Sequence, residues 1–201
     1  MPSNCVDSPV GHVSWGDAAR FANWLHNRKP TGAQSLATTE DGAYYLNGAN
    51  DDIALSAVTR KAGAIWWIPS ESEWYKAAYH KNDGATGNYW DYPTGSDTAP
   101  TATSGGTAAG TTVFNQTLPA DVDFCGGLSP YGTMGQGGNV YEWNEANTGT
   151  KRNRRGGSSG GSTAAAQKVD VRYDELPTFQ QSDVGFRVAA PPPWGTVIKV
   201  Q

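Results

Sequence analysis

Apolar positions recur with helical spacing at two places in this chain. In the run WGDAARFANWLHN, Ala18, Phe21, Ala22 and Leu25 fall at i, i+3, i+4 and i+7, which lines one face of a helix. Ser14 is an N-cap residue and Asp17 stands three positions on, so the run carries a capping box. The spacing predicts a helix over 15–26, flanked by Trp15 and Trp24 and ended by Asn27 and the Lys29-Pro30 pair. The same design returns after Pro69. Ser70 caps, Glu73 reciprocates, and Trp74, Ala77 and Ala78 supply the face of a helix over 71–79. Small alanines permit close backbone approach, so both helices are expected to lie flat against a sheet.

Elsewhere the periodicity breaks down. Gly42 to Leu46 reads as a short strand with aromatics on both faces, and Gly48 to Asp52 as turn chemistry. Ile65 to Ile68 reads as a buried strand stopped by Pro69. Residues 83–110 form a long, low-complexity surface loop, pinned by the aromatics of Asn88 to Pro93. The basic run Lys151 to Arg155 reads as a solvated loop, and a net charge of -4 argues against a nucleic-acid site. With 25 Gly, 8 Trp and 9 Tyr, the composition implies sharp turns around aromatic anchors and little regular structure. No apolar run approaches the roughly 18 residues a membrane span requires. Cys5 and Cys125 cannot make a disulfide framework. They either form one bridge or stay as two thiols.

Five phrases then fall in a telling order: PVGHVSWGDAARFANWL, WWIPSESEWYKAAYH, GGNVYEW, RRGGSS and VGFRVAA. Together they resemble the formylglycine-generating enzyme, or sulfatase-modifying factor, family over about residues 9–190. PTGAQ, TTEDGAY and EWYKAAYH are similar to phrases in its bacterial secreted-type paralogs, which implies an extracytoplasmic setting. The resemblance implies an α+β, C-type-lectin-like fold with two short helices, few short strands and many irregular loops. It divides the chain into a polar leader (1–8), the domain (9–190) and a Pro-rich tail (191–201). Members usually carry a strand pair ahead of the first phrase, where this chain has only a few residues. The expectation is a chain truncated at its start and a sheet with an unpaired edge.

The family's oxidases hold copper(I) on two thiolates, the soft ligands that ion selects. Counting from Gly156-Gly157-Ser158, and back from Gly185-Phe186-Arg187, those positions fall on Gly161 and Ala166, so copper is not expected and the chain reads as a pseudoenzyme. The resemblance places Ser158 and Tyr141 on the groove wall, Tyr141 standing where most members have Trp. Both fit core packing, and the Tyr141 ring could also stack a ligand. It also implies a candidate calcium site, with the carbonyls of Gly138 and Val140 and the carboxylate of Glu142. The side-chain ligand expected three residues before Gly138 is missing, because Gly135 stands there. The alternative role for Glu142 is an ion pair with a buried arginine such as Arg187. Arg172 is a second candidate for buried charge, and Asp17 and Glu73 are further acidic partners. The three histidines show no metal spacing, and His26 and His80 are expected to be solvated at helix ends.

Three functions stay open on these residues. In the first, the chain is a binding module for a protein, peptide or glycan. Its ligand-facing segment is then Gly160 to Gln181, with Arg172, Tyr173 and Phe179 as contacts. In the second, it is an enzyme, either oxidising a protein cysteine or running altered chemistry with Asp170, Tyr173, Asp174 and Glu175, although without a metal or nucleophile pattern such groups are more often surface residues. In the third, it is a fragment without a function of its own.

Overall fold

Both predicted capping boxes close. In the structure, a computed structural model describing residues 7–84 and 87–191, Ser14 Oγ accepts from the amide of Asp17 at 3.0 Å and Asp17 returns an acceptor to the amide of Ser14 at 2.9 Å. Ser70 and Glu73 do the same at 3.2 and 2.7 Å. These caps satisfy amides that have no partner inside the helix. They start α1 (Trp15–His26) and α3 (Glu71–Tyr79).

Between them lies a helix the spacing does not reveal, α2 (Asp52–Ala57), where turn chemistry was expected. It is too short to show a period. Asp51 caps its start through the amide of Ala54 at 2.8 Å. Its far end is held from outside, where the Arg152 guanidinium donates to the carbonyls of Leu55, Ser56 and Val58 at 2.8, 3.1 and 2.5 Å.

The long loop also carries structure. A two-residue parallel pair joins β1 (Thr101–Ala102) and β2 (Thr111–Thr112). The expected pinning holds, with the amide of Trp90 donating to the Tyr79 carbonyl at 2.8 Å.

The body is a four-stranded sheet built from β3 (Tyr141–Asn147), β4 (Arg152–Arg155), β5 (Tyr173–Glu175) and β6 (Val184–Phe186). Its spatial order is β5-β4-β3-β6, with β4 antiparallel to both neighbours and β6 parallel to β3. Side chains alternate between its two faces. Trp143 faces α1 and packs with Trp15, Ala18, Ala19, Ala22, Tyr44 and Ile68, all fully buried. Glu142 and Arg155 face α3 and the smaller cluster of Trp74, Ala78 and Tyr79.

Several expectations change. The basic run is not a solvated loop: it is strand β4, with Arg152 and Arg155 each 3% exposed. Arg155 pairs with Glu71 and donates to the carbonyls of Val169 and Val171. Arg152 stacks 3.8 Å from the Trp15 ring. Covered on both faces, the strand can keep these cations only by giving each acceptors or a π face.

The buried face of α1 centres on Trp15, Ala18, Ala19, Ala22 and Asn23, while Phe21 stays 41% exposed and Leu25 half-buried. Small residues bring the helix close to the sheet, which leaves Phe21 at the margin beside Phe186. The 65–68 segment is not a strand. It makes one bridge, Trp67 with Ala189, and Ile65 lies exposed. Tyr44 forms the single bridge of its segment, buried while Tyr45 is exposed. His80 is buried rather than solvated, its Nδ1 2.8 Å from the Tyr131 hydroxyl.

Candidate functional site

Strand β3 places two adjacent side chains in opposite settings. Tyr141 turns to the α1 face. Its ring meets that of Tyr173 edge-on at 5.3 Å. The Arg154 guanidinium, one strand over, lies 4.5 Å from the Tyr141 ring, 5.3 Å from Phe179 and 5.9 Å from Tyr173. Register explains the grouping: Arg154 stands opposite Trp143 on one side and Tyr173 on the other. A turn from Phe179 to Leu176 returns the chain to the group, and the adjacent Pro177 carbonyl is fixed to α1 by the amide of Trp15 at 3.0 Å. Tyr173 remains 39% exposed, and the Glu175 carboxylate stands 4.0 Å from Arg154. Burial, reinforced by neighbouring Tyr173, raises the Tyr141 hydroxyl above its ordinary 10.0. The result is a half-open aromatic patch with a cation held among its rings.

Of the predicted ligand-facing residues, the structure gathers Tyr141, Tyr173 and Phe179. Arg172 is exposed and makes no ion pair among the described residues, so it is not a buried charge. Ser158 is fully buried, its hydroxyl 2.9 Å from both the Gly160 carbonyl and the Asp183 carboxylate. Asp183 Oδ1 is buried and without a partner among the described residues. Arg154, the centre of the patch, is the residue the sequence reading missed. Nothing in the all-polar run Arg152-Asn153-Arg154-Arg155 marks it as a strand.

Glu142 turns to the α3 face and is fully engaged. Arg187 grips it in bidentate fashion, Nε to Oε2 at 2.5 Å and Nη2 to Oε1 at 2.6 Å, and the Trp74 indole donates to Oε2 at 2.7 Å. Burial alone would lower the Arg187 guanidinium, but the Glu142 charge outweighs it and holds Arg187 above its ordinary range. The paired alternative for Glu142 is therefore the one the geometry adopts. Nearby, the amide of Gly138 donates to the Gly156 carbonyl at 2.8 Å, and Val140 is 5% exposed. Gly138 has φ 70, and a Cβ there would strike the Val113 carbonyl. A calcium ion on the Gly138 and Val140 carbonyls would have to share Glu142 with a guanidinium and an indole, so the residues as placed do not fit that ion. Among the described residues no three His, Cys, Asp or Glu side chains gather as a metal site.

Of the two positions matched to copper ligands, Gly161 lies in open space with φ 66, and Ala166 sits 8% exposed in the 3-10 turn Ala164–Gln167. Cys125 is 2% exposed, and burial pushes its thiol up to about 11. Its sulfur lies on the Glu142 side, beside Gly135. Cys5, and with it the question of a bridge, lies outside the described residues, as does the tail from 192.

The loop-rich α+β fold and the two-sided sheet define a class, and the family model and the solved structures agree on it. Residues 3–191 match the family model described as the sulfatase-modifying factor enzyme 1-like domain. The chain therefore belongs to the sulfatase-modifying factor family. Among solved structures it is similar to Treponema denticola variable protein 1 at 21% identity, covering 96% of this chain and 74% of that one, with a TM-score of 0.64. CarF follows at 22% identity, 96% and 72% coverage and a TM-score of 0.61. PvdO from Pseudomonas aeruginosa follows at 16%, 90% and 61%, with a TM-score of 0.51. No curated protein matches the sequence. Among the described residues no helix is long and apolar enough to cross a membrane.

Proposed function

We propose that this chain is a binding module of the family, taking a peptide or glycan on the patch of Tyr141, Arg154, Tyr173 and Phe179. One observation carries the reading: a guanidinium held within 4.5–5.9 Å of three aromatic rings, one of them substantially exposed. Aromatic faces stack on sugar rings or side chains, and Arg favours acceptor oxygens. That one similar fold is named a variable protein is in keeping with a recognition role. The alternative, a copper oxidase acting on a protein cysteine, needs two thiolates. The matched positions Gly161 and Ala166 supply none, and buried Cys125 is a poor thiolate at neutral pH. An extracytoplasmic setting goes with this proposal through the secreted-type phrases.

A peptide and glycan array tests it. Saturable binding lost in Tyr173→Ala and Phe179→Ala supports the patch. Binding that survives both substitutions removes it. Oxygen uptake by the copper(I)-loaded chain with a thiol peptide would return the oxidase reading.

A further inference from the structure

The aromatic patch leaves two polar groups unfilled. Among the described residues the Arg154 side chain makes no hydrogen bond, its Nε is buried without a partner, and its Nη2 stands 4.0 Å from Glu175 Oε2. That gap is too long for a hydrogen bond. Glu175 Oε1 accepts from the amide of Leu176 at 3.1 Å, while Oε2 accepts from no donor among the described residues. The placement follows from register. Arg154 stands opposite Tyr173, so Glu175, two residues on along β5, is its diagonal neighbour on the same face. Both groups are partly open, the Arg154 side chain 14% and the Glu175 side chain 28% exposed.

One of the two groups only donates and the other only accepts. A ligand that fills both must accept from Arg154 and donate to Glu175 within the span of a few atoms. A carboxylate or phosphate suits Arg154 but is repelled by Glu175, and an ammonium meets the reverse conflict. A trans peptide unit aims its N–H and its C=O in opposite directions. A hydroxyl donates and accepts at one oxygen, and two hydroxyls on neighbouring ring carbons can fill both groups at once. The C–H face of a sugar ring then meets the negative face of the exposed Tyr173 ring.

We propose that the patch takes an uncharged saccharide, held through a pair of neighbouring hydroxyls between Arg154 and Glu175 with its ring against Tyr173. This rests on the patch being the binding site inferred above, and it selects the glycan over the peptide.

The probe is an array carrying neutral gluco-, galacto- and manno-configured pyranosides, the corresponding uronic acids, and peptides, all read with the full chain. We expect saturable binding confined to neutral sugars and lost when either hydroxyl of the bound pair is replaced by hydrogen. Glu175→Ala should weaken it roughly tenfold or more and keep the native melting midpoint. The sign separates the ligand classes, because removing Glu175 relieves an anionic ligand of repulsion and strengthens its binding. Uronic acids or peptides that bind equally or better in Glu175→Ala, and are lost in Tyr173→Ala, overturn the saccharide assignment and leave the patch in place. Neutral-sugar binding indifferent to Glu175→Ala overturns the hydroxyl pair. Neutral-sugar binding that survives Tyr173→Ala, or no binding to any member of the array, overturns the patch and the saccharide together.

Discussion

Tyr141 and Glu142 are consecutive on β3, and each meets an arginine, yet the two pairings do different work. Arg187 and Glu142 satisfy one another at 2.5 and 2.6 Å, with the Trp74 indole as a third donor to the carboxylate. Arg154 beside Tyr141 has no such closure. Its nearest carboxylate stands 4.0 Å off and three ring faces surround it. The α3 face thus stores a completed ion pair, which contributes to holding the fold. The α1 face leaves a cation and aromatic surface unspent, which is what a recognition site needs. A strand's alternation brings both from adjacent residues.

The closed pair carries the largest expected effect. Glu142→Gln strands Arg187 in a largely buried place and should cost about 3 kcal/mol of stability, measured by urea unfolding. A loss below a few tenths would mean that the pair does not hold the fold. Next comes pH. Cys125, on the same side, has a thiol pushed from its ordinary 9.0 up to about 11 by burial. A raised folded value means the neutral thiol is favoured in the fold. Its contribution is whole below pH 9 and is lost as pH climbs toward 11, by about 2 kcal/mol. Melting midpoints across that range should fall less steeply in Cys125→Ala.

On the open side stability and binding come apart. Tyr173→Ala should move stability by only about 0.5 kcal/mol while removing ligand binding. A larger stability loss with binding retained would make the patch a packing element. The smallest effect concerns calcium. Because Glu142 is already gripped, adding millimolar calcium should leave the melting midpoint where it was. A rise in midpoint, absent in Glu142→Gln, would show that the ion displaces Arg187.

Local chemistry was legible in the sequence wherever it acts over a few residues. Ser14–Asp17 and Ser70–Glu73 fix where α1 and α3 begin, and Pro30 and the helix-ending residues fix where they stop. Glu142 and Arg187 were nameable as a pair because a buried charge demands a partner. Missed features depend on partners distant in the chain. The helix α2 is held by Arg152, about a hundred positions away, and no spacing within Asp52–Ala57 announces that. The arginine run looked like a loop because charge usually means solvent. Only the sheet order shows acceptors and rings waiting on both sides of it.

From the sequence came the two capped helices, the family frame and two open roles for Glu142, calcium or an arginine, between which only the folded geometry chose. Only the tertiary structure settled which face each β3 neighbour serves and where Arg154 finds its rings. Those depend on strand order and register, and they arise from contacts between residues far apart in the chain.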